Sequence, residues 1–142
     1  MYNRKKYFAM GKVFVHGLGQ ASESWNAVLL SMEEPEKCVC PNLVESVKNQ
    51  NVHYKNLYNA FLGLCDKFDE SIDLCGMSSG GVLTLNYAIE RPNKVKSLVL
   101  IATLYKMPKM LLKNARVEIV SGAGHQVNVE VPDELRKLLS SI

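Results

Sequence analysis

The chain has 142 residues, 47 % of them hydrophobic, which suits one domain with a real core. Its formal net charge of +3 is too small to imply a nucleic acid or a membrane surface as partner. No apolar run approaches the length of a membrane span and no signal peptide opens the chain, so a single cytoplasmic domain over residues 1–142 is expected.

Arg4, Lys5 and Lys6 form a basic tract that reads as a solvated N-terminal face. A first strand is predicted at residues 12–16 (KVFVH). Trp25, Val28, Leu29 and Met32 then fall at helical spacing. A second strand follows at 37–40 (KCVC), in which Cys38 and Cys40 alternate and face one side. Tyr54, Leu57, Tyr58, Phe61, Leu64, Cys65 and Phe68 mark the stripe of the next helix. A third strand is predicted at 72–76 (IDLCG), then a helix at 79–90 stopped by Pro92. A fourth strand covers 96–102 (KSLVLIA), residues 103–114 leave room for one short helix, and a fifth strand covers 116–121 (RVEIVS). Pro132 suits the first position of a final helix, with Asp133 and Glu134 in its first turn and Leu135, Leu138, Leu139 and Ile142 as its stripe. The strands are short, rich in valine, isoleucine and leucine, and several are apolar on both faces, as parallel strands covered on both sides are. Their alternation with helices predicts an α/β fold, a three-layer sandwich with a roughly five-stranded parallel sheet.

The four cysteines, Cys38, Cys40, Cys65 and Cys75, sit at core-like positions, where a thiol acts as a small hydrophobe. A metal site would need a Cys-x-x-Cys pair or a histidine cluster, and the sequence holds neither, so no metal and no cofactor are expected. Trp25, Met107 and Met110 read as core or gap-filling residues. Met77 is the methionine to watch, because of where it falls.

It falls inside Gly76-Met77-Ser78-Ser79-Gly80, between a predicted strand and a predicted helix. A sharp strand-to-helix turn holds its central residue up at the C-terminal end of a sheet. The residues two positions away on each side must then be small, or they would strike the strand and the helix. This is the pattern of a nucleophile elbow, with Ser78 presenting its hydroxyl. The N–H of Ser79, opening the helix, would face a developing oxyanion. His16-Gly17-Leu18-Gly19 follows the first strand directly, and such a loop can bring the N–H of Leu18 to the same end of the sheet as a second donor. His16 itself reads as structural. His125 lies in a glycine-containing loop between the last strand and the last helix, where a base must sit to reach Ser78. His53 reads as a surface residue.

These stretches, in this order, resemble the α/β-hydrolase superfamily, and in particular its carboxylesterase- and lipase-type serine hydrolases. HGLGQASESW, YAIERPNKVKSLVLIA and GAGHQVNVEVPDEL are similar to that family beyond the catalytic letters. The resemblance spans nearly the whole chain after residue 11. It implies Ser78 as nucleophile, His125 as general base, and the N–H groups of Leu18 and Ser79 as oxyanion hole, acting on a small-molecule ester.

Two features depart from that family. Only about a dozen residues separate the fourth and fifth predicted strands, where the family usually carries a cap domain and a further strand. A stripped core without a lid is implied, favouring small acyl groups. The family's acid is also missing, for no Asp or Glu occurs from Arg91 to Val117. Glu90 is at the far end of its helix. Glu118 would have to reach up from below, and reads better as a charge on an edge strand. Glu23 and Glu45, in loops after the first two strands, lie outside the family order. Loss of the acid costs about 10⁴ in turnover in a well-studied serine protease, about 5.5 kcal/mol. A Ser-His dyad with an intact oxyanion hole would still cleave activated esters. Two alternatives stand beside the enzyme reading: an inactive hydrolase-like scaffold serving as an interaction module, and a homodimer that supplies the acid.

Overall fold

The computed structural model describes residues 11–103, 118 and 123–140. The fifth predicted strand, nearly all of the stretch 103–114 and the basic tract near the N-terminus lie outside them. Four strands are described: β1 (Lys12–Val15), β2 (Cys38–Val39), β3 (Ile72–Met77) and β4 (Val95–Ile101). They form one sheet in the order β2-β1-β3-β4, with every pairing parallel. Helices α1 (Asn26–Leu29), α2 (Leu43–Ser46), α3 (Tyr54–Cys65), α4 (Ser79–Glu90), α5 (Val127–Glu130) and α6 (Pro132–Leu139) accompany it.

The period-2 alternation of the strands sorts their side chains into two cores. Val13, Val15, Ile72 and Leu74 face one side, where Phe61 and Cys65 of α3 and Leu83 and Tyr87 of α4 cover them. Phe14, Cys75, Met77 and Ile101 face the other, beneath Trp25, Val28 of α1, and Leu135 and Leu139 of α6. Two helical layers thus enclose the sheet, the expected three-layer sandwich. Every residue of β3 is buried, as befits a central parallel strand. The indole of Trp25 packs on the Phe14 ring at 5.2 Å between centroids, and Met77 is 1 % exposed. Both are core residues. Cys38 and Cys40 pack together against the second core, and all four cysteines are free thiols. Burial pushes the Cys40 and Cys65 thiols up to about 12 and raises that of Cys75 as well.

The strand order locates a site. From β1 the chain runs outward to β2, then crosses back over β1 to reach β3. Beyond the C-terminal ends of β1 and β3 the connections diverge, leaving a crevice where ligands bind in open parallel sheets. The turn after β1 holds Gly17 to Gln20, and the turn after β3 holds Ser78.

Candidate active site

Ser78 has φ 53° and ψ −120°, a backbone conformation that costs a non-glycine residue about 1–3 kcal/mol. Several contacts impose it. The Ser78 N–H donates to Ile101 O at the end of β4 (2.9 Å), and its carbonyl accepts from Gly81 N–H (3.0 Å). The Thr103 hydroxyl lies within hydrogen-bond reach of both Ser78 O (3.3 Å) and Ile101 O (3.1 Å). The glycines are needed for close approach. A Cβ on Gly76 would come within 2.6 Å of Gly80 O and Gly81 Cα, and one on Gly80 within 2.5 Å of Val15 O and His16 O. The third glycine, Gly81, admits Thr103, whose Cβ would lie 2.9 Å from a Cβ there.

The turn after β1 is closed by Gln20 N–H donating to Gly17 O (3.1 Å). Gly19, at its third position, has φ +78°, the left-handed conformation that a type II turn asks of glycine. The loop abuts the nucleophile: a Cβ on Gly17 would lie 3.2 Å from Ser78 Cβ. Leu18 occupies the second turn position, whose N–H the turn bond does not use, and its side chain is 82 % exposed. Ser79 heads α4, where first-turn N–H groups have no intrahelical partner. The two proposed oxyanion donors therefore belong to the two turns that meet at Ser78. His16 is buried beneath them. Its Nδ1–H donates to Gly17 O (2.9 Å), and its Nε2 accepts from Leu43 N–H (3.4 Å). Both ring nitrogens are occupied, so its role is to tie the first turn to α2.

His125 reaches this point from the other end of the chain. Its Nε2 is 3.0 Å from Ser78 Oγ, across 47 positions of sequence. His125 itself is exposed, and its loop is held by hydrogen bonds together with the packing of Val127 on the second core. The Glu130 carboxylate accepts Gly124 N–H through Oε2 (2.7 Å) and Gln126 N–H through Oε1 (3.1 Å). Asn128, fully buried, donates from Nδ2 to Ser24 O (3.2 Å) and accepts at Oδ1 from Gln20 Nε2 (3.2 Å). The Gln20 Oε1 in turn accepts Gly17 N–H (3.1 Å). The turn after β1 and the helix after His125 are thus joined through two side-chain amides.

Thr103, Gln20, Asn128 and Glu130 did not figure in the sequence reading. None of the four left a local signal there: Glu130 lies four residues beyond the N-cap Gln126, one position past the capping-box glutamate, and no Ser or Thr stands at that N-cap. Of the acids considered from sequence, Glu23 accepts from the Ser22 hydroxyl (3.2 Å) and Glu45 pairs with Lys48 (2.7 Å). Glu118 is exposed. Among the described residues, the one hydrogen bond of the His125 ring is the one to Ser78.

No family model matches the chain. It is 29 % identical over 101 residues to a 2-hydroxy-6-oxo-2,4-heptadienoate hydrolase of Pseudomonas putida. That match takes in 65 % of this chain and 37 % of the relative, so the chain spans well under half of the relative's length. A CIB-like hydrolase of Thermoplasma acidophilum superposes with a TM-score of 0.68 at 17 % identity, covering 99 % of this chain and 87 % of its own. A pyrethroid hydrolase of Sphingobium faniae gives 0.57 at 18 % identity, over 70 % of this chain and 42 % of its own. A thioesterase domain from the curacin biosynthetic pathway gives 0.55 at 21 % identity, over 74 % and 42 %. The chain has the fold of these hydrolases, a parallel sheet between two layers of helices.

Proposed function

We propose that the chain is a serine hydrolase that cleaves small acyl esters through an acyl-enzyme on Ser78. The observation that carries this reading is the 3.0 Å approach of His125 Nε2 to the hydroxyl of a serine on a strained strand-to-helix turn. With the ring proton on Nδ1, Nε2 accepts the Ser78 O–H. As Oγ attacks the ester carbonyl, the proton passes to Nε2, and the N–H groups of Leu18 and Ser79 hold the oxyanion. Collapse of the tetrahedral adduct breaks the ester C–O bond, and the leaving alkoxide takes the proton from Nε2. Water then gives a proton to Nε2 and attacks the acyl carbon. The carboxylic acid leaves, and Ser78 regains its proton.

Small acyl groups are favoured because the short connection after β4 offers little chain to cover a long one, and Leu18 and His125 are exposed. Thioesters fit the same chemistry, and one structural neighbour is a thioesterase domain. Hydrolysis of p-nitrophenyl acetate by the purified chain and by Ser78→Ala tests the reading. Turnover above buffer is expected for the parent, with a loss of at least about 10³-fold in kcat for the variant. Equal rates for the two proteins would refute the serine mechanism.

A further inference from the structure

We propose that Glu130 is a positioning residue for the base. Its carboxylate clasps the backbone on both sides of His125 and so holds Nε2 on the Ser78 hydroxyl. The inference rests on the esterase reading for its catalytic meaning and on the geometry of one loop for its physical content.

The family sets its histidine with a carboxylate on the ring, and this sequence has no Asp or Glu from Arg91 to Val117 to supply one. Among the described residues the ring's one hydrogen bond is the one to Ser78, so its aim rests on how its loop is held. Packing does not aim it, because His125 is exposed. Glu130 is the last residue of α5 and lies four residues beyond its N-cap, Gln126. From there one carboxylate oxygen returns to the N-cap amide at 3.1 Å, and the other goes on to Gly124 N–H at 2.7 Å. The two anchored amides straddle residue 125. The Gln126 amide belongs to the peptide plane that follows His125 and the Gly124 amide to the plane that leads into Gly124, so one charged group ties the main chain on either side of the histidine, and charge-assisted bonds of this kind are the stronger sort. With the chain tied at both points to the same carboxylate, the torsions between them close a small ring, which restrains the Cα–Cβ direction of His125.

Gly124 is the other half of the device. A Cβ there would lie 3.0 Å from both carboxylate oxygens, closer than a carbon and an oxygen sit at rest. A side chain at 124 would crowd the carboxylate by a few tenths of an ångström against its two amide bonds. The glycine before His125 thus serves the clasp, not a left-handed turn. The clasp acts on the main chain, so it orients the base without contact with imidazole or substrate.

The test uses Glu130→Ala, Glu130→Gln, Gly124→Ala and the Gly124→Ala/Glu130→Ala double variant, with p-nitrophenyl acetate as substrate. Glu130→Ala is expected to lower kcat about tenfold, equivalent to about 1.4 kcal/mol, with KM within about twofold and the melting temperature nearly unchanged. Glu130→Gln keeps one acceptor oxygen and turns the other into a donor facing an N–H, so its kcat should fall between the two. Gly124→Ala should match Glu130→Ala from the opposite side. The double variant should be no worse than the worse single, because both changes break the same contact. Amide hydrogen exchange supplies a readout independent of turnover: the Gly124 and Gln126 amides should exchange at least about tenfold faster in Glu130→Ala. Wild-type kcat in Glu130→Ala, losses that multiply in the double variant, or unchanged amide protection would each overturn the proposal. If the parent chain shows no Ser78-dependent turnover, the esterase reading falls by itself, and amide exchange alone then decides whether the clasp exists.

Discussion

The turn that carries Ser78 is walled in by the ends of β1, β3 and β4 and by the first turn of α4, with glycines where backbones nearly touch. The loop that carries His125 has no such walls. It stands exposed and is held by two carboxylate bonds and a buried pair of amides. Ser78 is positioned by backbone and packing, His125 by polar side chains. Packing of the first kind yields little to a single change, but fails steeply where a close approach is blocked. A polar tether fails in smaller, separable steps.

The sharpest break of this contrast is expected at Gly80. A Cβ 2.5 Å from Val15 O and His16 O cannot be met by side-chain movement, so Gly80→Ala must separate α4 from β1. A loss of about 3 kcal/mol, at the upper end of overpacking costs, is expected in urea unfolding, together with loss of turnover. A variant that unfolds like the parent would show that the elbow can yield. Asn128→Ala comes next. It removes a fully buried amide with both its bonds, to Ser24 O and to the partly buried Gln20, and frees the link to the turn after β1, at about 2 kcal/mol of stability. Gln20→Ala removes the same link from its less buried end and should cost under about 1 kcal/mol. In a double-mutant cycle on kcat the two should prove non-additive, and strict additivity would show that the two loops act independently.

The thiols of the two cores give a pH experiment. Burial holds Cys40 and Cys65 near 12 in the folded chain, above the ordinary 9.0. A folded value raised in this way leaves stability intact below about pH 9. Stability is then lost as pH rises toward 12, because only the unfolded chain can ionise freely. The urea midpoint should be flat from pH 7 to 8.5 and fall above pH 9, and native thiols should alkylate slowly at pH 8. Rapid native alkylation would mean that these thiols open to solvent. The smallest effect is expected at Ala102, which follows β4 with φ +49°. Ala102→Gly relieves left-handed strain of about 1–2 kcal/mol and adds about 0.4–1 kcal/mol of unfolded-chain entropy. The melting temperature should rise by a few degrees at most.

The same contrast explains what could be read in advance. Strands and glycines obey local rules, so the helix at 79–90 and all four described strands were legible to within a residue or two. Gly76 and Gly80 were legible as spacers because the elbow needs small residues two positions from Ser78. The short helices α2 and α5 escaped, since four residues carry too little periodicity to register. The tethers escaped for a different reason. Gln20 and Asn128 are 108 residues apart, and nothing local to either names the other. The acid candidates Glu23, Glu45 and Glu118 were sought for a carboxylate on the ring, whereas the carboxylate the loop uses, Glu130, works on its main chain.

That distance in sequence also sets an order of events in time. The elbow needs only residues 12–103, a compact run of strand, helix and strand with neighbouring pieces close in the chain. The base arrives through contacts such as Gln20 to Asn128, whose loop-closure cost is met late. During synthesis the nascent chain can therefore fold its serine turn well before His125 is near it. An unfinished chain carries a shaped serine turn with no partner for its hydroxyl, and the proposed base joins it only when the last helices dock.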